Sequence, residues 1–514
     1  MVKGKNLLLC STLVALSSLG VMNVEAANIA DWTSLKTCLT TEGETCILQN
    51  SISATDALTI NSNSATLDLN GYTLTLGTGA TNLAVEVTGS GKLTVNDSKT
   101  TGAIASGHRA FNINAGGTLI INDGTISNVN PAGGSAISAT GTGTDTDVIT
   151  TLTIGKNAVV TGTNGIGVLQ STGTNASYDL VINVYGTVTG RTNTTGEWGH
   201  VGISISGNIK ATTGDIPTIN IYDGAIISGA KGTYGDSNYD DAPAIYQAGY
   251  VKTVITGGTF TGCEALSVKS GILDITGGTF TATGSYTAPA VANGNGSEAT
   301  GAAISITKTA SYAGNVKASI KNAVVVSQNG YAIYEGSSTG NTGSAVNSIN
   351  VISGTFTGNQ TVGAVYSEHQ TNFVEGGEFN TPLSATYMPS NTTSVLENGV
   401  YLVGEKHNIN ITSGENGIIT SSLSEAIEGQ TVTITVTPKK GYQLKSIDGA
   451  TVTKVNDTTY TFTMTNSDVT LTPVFEETPV ANPKTLDSIY ISIIICALST
   501  AALLYNNKKS YKLN

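Results

Sequence analysis

The chain has 514 residues, of which 61 are glycine, 12% are charged and 6% are aromatic. Short runs of valine, isoleucine and leucine, separated by glycine, asparagine, serine and threonine, favour strands joined by turns and exclude a mainly helical protein. With 39% hydrophobic residues the chain can bury a core, and its formal net charge of −12 opposes binding to nucleic acid.

The first 26 residues have the organisation of a secretory signal peptide. Lys3 and Lys5 precede an apolar run over 7–21, and the small residue Ala26 follows it. This order predicts export with cleavage after Ala26, because signal peptides combine a basic start, an apolar middle and a small-residue site. A buried first helix is the alternative interpretation of the same run.

Three cysteines remain between the two ends of the chain. Cys38 and Cys46 are close enough in sequence to close a small loop, and in an exported chain they form either a disulfide or two free thiols. Cys263 is predicted to be a small buried hydrophobic residue. The four histidines are widely scattered and show no metal-ligand spacing, so no cofactor is expected.

Related short phrases recur between residues 119 and 379. The hexapeptide ITGGTF occurs from Ile255 and again from Ile275, and each phrase reads as a strand, a corner and a second strand. The corner residues are 20 to 44 residues apart and are Gly124, Asn157, Gly186, Gly224, Gly258, Gly278, Asn322, Gly354 and Gly377. Such variable spacing predicts a three-sided coil of parallel strands, because its loops can lengthen at a corner while its strands stay fixed.

Four phenylalanines occupy the same position in their phrases. They are Phe260, Phe280, Phe356 and Phe379. Equivalent positions in successive turns of such a coil lie about 4.8 Å apart, so we expect these rings to stack inside it. An exposed aromatic strip is the alternative.

The phrases that open this region resemble a known fold. Residues 65–77, 89–99 and 114–127 look like the start of the pectin-lyase-like right-handed β-helix domains of bacterial surface proteins. The resemblance implies an all-β chain with an N-terminal cap at 27–50, followed by a parallel β-helix with its connecting tail at 51–404. A cap is needed because an open sheet edge invites aggregation.

The pattern changes over residues 405–477, where apolar and polar residues alternate strictly. This segment resembles the divergent internalin-type B repeat of bacterial surface proteins. The residues that carry the resemblance are Gly429, Pro438, Gly441, Tyr442, Tyr460, Phe462, Met464 and Phe475. The resemblance implies a small β-domain in which these residues form core and turns.

The last 37 residues resemble the cell-wall sorting signal of Gram-positive surface proteins. After a linker that starts at 478, the NPxT-type motif is Asn482, Pro483, Lys484 and Thr485. The segment 486–514 then supplies a largely apolar stretch, expected to cross the membrane as a helix, and a basic tail. The resemblance implies that a sortase cleaves after Thr485 and joins the chain to peptidoglycan; Leu486, where glycine is usual, leaves the sortase class open. A plain membrane anchor is the alternative.

Loss of both ends makes the protein more acidic. Five of the 24 basic residues and two of the 36 acidic residues lie in those ends, which leaves 19 and 34 in residues 27–485 and a formal charge of −15. Nucleic acid is therefore not an expected partner.

Paired acids and a histidine would indicate a polysaccharide hydrolase on this fold. The chain has Gly-His-Val-Gly at 199–202 before Asp240 and Asp241, in the wrong order, and it lacks an Arg-x-Lys motif. We therefore expect no catalytic residues, with a wall-bound lyase or hydrolase as the alternative.

Residues 232–250 do not follow the repeated pattern and are predicted to form a long loop inserted at a turn of the coil. Its candidate ligand-binding residues are Tyr234, Asp236, Tyr239, Asp240, Asp241 and Tyr246. Tyrosine and aspartate on a loop can stack on sugars, bind hydroxyl groups or hold calcium, whereas a packed loop with solvated acids is the alternative.

These features together favour a cell-wall adhesin, in which a rod holds ligand-binding loops away from the cell. The expected partners are a sortase, peptidoglycan and a glycan or surface protein of the host or environment. A structural spacer without ligand is a further alternative.

Overall fold

The structure is a computed structural model that describes residues 26–78, 83–129, 134–141, 147–169, 179–191, 200–206, 216–230, 242–284, 300–308, 312, 314–337, 347–479 and 488–510. Strands make up 52% of the chain and helices 6%, which confirms a mainly β protein. It divides into two compact units, 1–405 and 406–514. Apart from Ala26, the predicted signal peptide lies outside the described residues.

In the first unit the chain runs repeatedly through three stacks of parallel strands, here called ladders one, two and three. Ladder one contains Ala27–Ile29, Thr45–Leu48, Ser64–Asp68, Lys92–Asn96, the first parts of Thr118–Asn128 and Thr150–Gly162, Leu180–Val184, Thr218–Ile221, Lys252–Ile255, Gly271–Ile275, Val316–Ile320 and Ser348–Val351. Ladder two contains Ile52–Ser53, Thr73–Leu76, Ala103–Ser106, the second parts of Thr118–Asn128 and Thr150–Gly162, Thr187–Gly190, Ile226–Ser228, Thr259–Gly262, Thr279–Ala282, Ala323–Ser327, Gly354–Thr357 and Gly377–Phe379. Ladder three contains Leu58–Ile60, Val85–Val87, Phe111–Ile113, Ser135–Ala139, Asn164–Leu169, Ile203–Ser206, Ile245–Gln247, Leu266–Val268, Ile304–Lys308, Ile333–Ser337 and Val365–Ser367.

One strand from each ladder makes one turn of a coil. The third ladder has 11 strands, so the described residues form 11 such turns. Parallel strands in long sheets agree with the predicted solenoid.

Phenylalanines fill the coil beneath ladder two. The rings of Phe260 and Phe280 lie 4.6 Å apart and those of Phe356 and Phe379 lie 4.9 Å apart, and all four side chains are fully buried. Val325 occupies the same column between the two pairs. The predicted internal stack is therefore confirmed.

The corners between ladders one and two need left-handed backbone at most turns. Gly258 and Gly278 have φ of 100° and 108°, and Asn322 has φ of 52°. Glycine and asparagine suit these angles because they escape most of the Cβ clash. Asn157 has no such angle, and it pairs with Asp123, whereas the corner residue Gly124 pairs with Ala158.

The first turn is closed by a short helix, Trp32–Leu39, whose apolar side covers the end of the core. Asp31 caps it by accepting a hydrogen bond of 2.9 Å from the backbone N–H of Ser34. A disulfide joins Cys38 to Cys46, with 6.0 Å between their Cα atoms. Cys263 is buried, with 2% exposure.

At the other end of the unit, an antiparallel hairpin follows a 3-10 turn at Ala385–Tyr387. The strand Val400–Glu405 pairs with Gly377–Phe379 on one side and with Thr392–Glu397 on the other. The switch from parallel to antiparallel pairing ends the coil.

The second unit contains two four-stranded sheets. One has the strand order Glu425–Ala426, His407–Ile411, Val469–Glu477 and Tyr442–Asp448; the other has Gly417–Ser421, Thr431–Pro438, Thr459–Thr463 and Thr453–Lys454. Phe462 and Met464 lie in its core, and Gly429 and Gly441 have positive φ, as core and turn roles require.

The helix Ser488–Ser510 covers the stretch that was expected to cross the membrane. Within the described part of the chain, no helix has both the length and the apolar character needed to span a bilayer. The membrane span is thus a prediction that the structure does not support.

Candidate ligand-binding face

The outer side of ladder two carries two parallel columns of side chains. The first column is Thr73, Ala103, Thr125, Val159, Thr187, Ile226, Thr259, Thr279, Val324 and Thr355. The second column is Thr75, Ala105, Ser127, Thr161, Thr189, Ser228, Thr261, Thr281, Val326 and Thr357. Most positions are threonine or serine, which suits an outward strand position and presents hydroxyl groups about 4.8 Å apart. We call this surface the hydroxyl face.

A pair of tyrosines borders the hydroxyl face at its corner with ladder one. The rings of Tyr185 and Tyr222 lie 4.2 Å apart and within 4° of parallel. Tyr185 is 37% exposed, so part of this aromatic surface is open to solvent. The pair occupies adjacent turns just before the strands Thr187–Gly190 and Ile226–Ser228.

Hydrogen bonds hold the tyrosine pair in place. Asn183 Oδ1 accepts a bond of 3.0 Å from Asn220 Nδ2 and one of 3.4 Å from the Tyr222 hydroxyl. Desolvation and the neighbouring Tyr185 raise the pKa of Tyr222, so the Tyr222 phenol is neutral at physiological pH. The pair is a fixed aromatic platform.

Sequence reasoning missed this platform, although a signal was present. The phrase Ile-Asn-Val-Tyr ends at Tyr185 and the phrase Ile-Asn-Ile-Tyr ends at Tyr222, each just before a predicted corner. Identical positions in successive turns are neighbours, so the repeated tyrosine implied a stacked pair.

Five of the six candidate loop residues, namely Tyr234, Asp236, Tyr239, Asp240 and Asp241, lie outside the described residues. The described residues on either side of them, Ala230 and Ala242, lie at the corner between ladders two and three. There the Ala230 N–H donates to His200 O at 2.8 Å, and the Ala242 N–H donates to Ala230 O at 2.9 Å.

Tyr246, the sixth candidate, lies in the strand Ile245–Gln247 and is only 7% exposed. Its hydroxyl is 3.0 Å from that of Tyr312, and burial raises the pKa of Tyr246 well above its ordinary value. The side chain therefore packs against the outside of ladder three.

A carboxylate and a histidine come together near the last turn. Glu335 is fully buried and accepts hydrogen bonds from Ser367 Oγ at 2.7 Å and Asn347 Nδ2 at 2.9 Å. His369 Nδ1 lies 3.2 Å from the same carboxylate, and its Nε2 lies 3.7 Å from Glu368. Because Glu335 has no exposed surface and several partners, it orders the end of the coil. No group of acids, histidines or cysteines suited to a metal is found among the described residues.

Comparison with known proteins identifies one segment. Residues 407–479 match the family model of the divergent InlB B-repeat domain, which confirms that part of the sequence prediction. No curated protein matches the chain. No solved structure matches it either.

Proposed function

We propose that this protein is an exported surface protein that binds a glycan on the hydroxyl face. The observation that carries the proposal is the stacked pair of the exposed Tyr185 and the half-buried Tyr222 beside columns of threonine hydroxyls. A sugar has an apolar ring face and a rim of hydroxyl groups, so it can stack on the tyrosines while it bonds to the threonines.

The shape of the site supports binding along an extended chain. The columns repeat at every turn of the coil, so successive sugar units can make similar weak contacts, and the total affinity then exceeds that of any one contact. We propose binding and not turnover because the buried Glu335 is already occupied by donors from the chain itself.

We propose in addition a handedness and fold family for the coil and a covalent attachment for the chain. The coil is a right-handed β-helix of the pectin-lyase-like kind, and a sortase joins Thr485 to peptidoglycan. The motif Asn482, Pro483, Lys484 and Thr485 lies outside the described residues. In support, the helix that follows exposes large apolar side chains, including Ile493 and Leu498. Release from cells by a peptidoglycan hydrolase and not by detergent tests the attachment.

A glycan array with the full-length protein and its Tyr222→Ala variant tests the binding function. We expect the variant to bind the selected glycan about tenfold more weakly, because it loses half of the aromatic platform. Tyr72→Ala is the matched control, since Tyr72 is also 37% exposed and lies at an equivalent corner, where no described tyrosine stacks on it.

Two results would count against the proposal. If the wild-type protein binds no glycan on the array, the protein is not a glycan-binding rod and the spacer alternative is favoured. If Tyr72→Ala weakens binding as much as Tyr222→Ala, the ligand does not use the platform.

A further inference from the structure

The full sequence contains only two arginines, Arg109 and Arg191, which are 82 residues apart. Both lie at the corner between ladders two and three. Arg109 follows the strand Ala103–Ser106, and Arg191 follows the strand Thr187–Gly190, three turns further along the coil. The coil therefore brings the two guanidinium-bearing residues of an acidic protein to one edge of the hydroxyl face.

The two side chains approach two residues that are joined by a hydrogen bond, Asn128 and Gly134. Arg191 Nη1 donates a hydrogen bond of 3.0 Å to the carbonyl oxygen of Asn128. On the other side, a Cβ placed on Gly134 would lie 3.4 Å from Arg109 Nη2. Asn128 joins the two approaches, because its Nδ2 donates to Gly134 O at 2.8 Å and also to the carbonyl of His108.

The guanidinium group of Arg109 has no partner among the residues that the structure describes. Its Nε is buried without a hydrogen bond, and no ion pair or side-chain hydrogen bond holds the group among the described residues. Burial alone lowers the pKa values of Arg109 and Arg191, with no carboxylate acting on either. Guanidinium remains charged in proteins, and its five donors are normally satisfied when buried.

His108 adds a second unsatisfied atom at this corner. Its Nδ1 is buried without a hydrogen-bond partner in the described part of the chain, and its Cε1 would lie 3.6 Å from a Cβ on Gly134. Some lysines elsewhere in the chain have acid partners, as Lys252 and Asp274 show at 3.2 Å, whereas no carboxylate lies against Arg109 or Arg191 among the described residues. A buried guanidinium nitrogen that has no partner among the described residues, beside a buried imidazole nitrogen in the same state, indicates a ligand that brings its own negative charge.

We propose that Arg109 and Arg191 bind the carboxylate or sulfate group of an acidic glycan whose sugar rings lie on the hydroxyl face. This inference rests on the proposed glycan binding and names the class of glycan. A planar guanidinium matches the two oxygens of either group in a paired geometry that lysine lacks. Four residues of ladder two separate the Arg191 edge from the Tyr185 edge, so one saccharide can contact both.

The test measures binding of the full-length protein to immobilised hyaluronan, dextran sulfate and neutral dextran. Hyaluronan carries carboxylates and dextran sulfate carries sulfates, so their relative affinities identify the anionic group. We expect at least one acidic polymer to bind more tightly than dextran, with an affinity that falls as salt rises. Arg109→Gln should reduce that affinity about tenfold, since a charge-assisted hydrogen bond is lost.

Lys92→Gln is the matched control. Lys92 is exposed on ladder one in the same turn as Arg109, so the variant changes the net charge equally on another face. Arg109→Lys keeps the charge and removes the paired geometry, and we expect it to bind more weakly than wild type. Thermal unfolding of the Arg109 variants should stay close to the wild-type temperature, because Arg109 Nε has no hydrogen-bond partner among the described residues.

Different failures have different meanings. If neutral glycans bind through Tyr222 but acidic polymers gain nothing over dextran, the glycan-binding function stands and the anionic site is wrong. Equal losses in Arg109→Gln and Lys92→Gln would also overturn the site, because they would show only an effect of net charge. If no glycan of any kind binds, both proposals fall.

Discussion

The coil of the first unit and the second unit, here called the B-repeat unit, are both built from short strands. Different kinds of contact determine how the strands pair in each. In the coil, a residue packs against its equivalent in the next turn, as Phe260 packs on Phe280. In the B-repeat unit, antiparallel strands such as Thr431–Pro438 and Thr459–Thr463 place unlike residues opposite one another. The coil therefore requires similar residues at equivalent positions of successive turns. The B-repeat unit requires particular residues at particular places in its sequence.

This difference explains which part of the chain a family comparison recognises. The B-repeat unit depends on turn and core residues at fixed spacing, and residues 407–479 match a family model. The coil keeps its fold while the corner interval varies between 20 and 44 residues, so its sequence has no constant length to match.

Truncation of a stacked phenylalanine should produce the largest difference between the units. Phe280→Ala removes a fully buried ring between Phe260 and Val325, and we expect the coil to lose about 3–5 kcal/mol of unfolding free energy. Unfolding in urea, followed separately in each unit by hydrogen exchange, should show an unchanged B-repeat unit.

Two variants serve as controls for that result. Thr281→Ala, the next residue along and outward-facing, should change stability by less than about 0.5 kcal/mol. Phe462→Ala should destabilise only the B-repeat unit, since Phe462 is buried in its core. If Phe280→Ala destabilised both units equally, the two would fold as one cooperative body.

The disulfide should give an intermediate effect confined to the coil. Replacing Cys38 and Cys46 by serine, or adding a reductant, frees the closed loop in the unfolded chain and should cost the first unit about 2–3 kcal/mol. Residues 407–479 contain no cysteine, so the B-repeat unit should not respond. Reductant should have no further effect on the double variant; a further shift would mean that it acts elsewhere.

Acid should have the smallest effect, through a different carboxylate in each unit. Hydrogen bonds from Lys36 and Trp32 lower the pKa of Asp56 in the coil, and the Asn408 N–H, at 2.7 Å, lowers that of Asp468 in the B-repeat unit. Because each folded-state pKa is below the unfolded value, the stabilisation is present above about pH 4 and is lost as pH falls through the folded value.

Amide variants separate the two contributions in acid titrations of stability. Asp56→Asn should flatten the pH dependence of the coil alone, and Asp468→Asn that of the B-repeat unit alone. If stability still falls steeply in acid after both substitutions, other carboxylates cause the acid dependence.

Several sequence predictions depended only on local pattern and succeeded for that reason. The shared position of Phe280 and Phe356 in their phrases indicated one internal column, and Gly258 and Gly278 marked left-handed corners. Other predictions needed the context of the fold. The phrase pattern places a similar corner at Asn157, but the pairing of the strands aligns Ala158, and not Asn157, with the corner residue Gly124.

The sequence by itself determined that this is a β-rich repeating chain, where its apolar columns lie, and which segment is a B-repeat domain. Only the tertiary structure decided which distant residues become neighbours at the surface. Tyr185 meets Tyr222, and Arg191 and Arg109 reach Asn128 and Gly134, two residues joined by a hydrogen bond, because parallel pairing aligns equivalent positions whatever loop length separates them. Because the loops differ in length, the spacing of residues along the chain does not predict which of them are aligned in successive turns. The candidate site depends on that alignment.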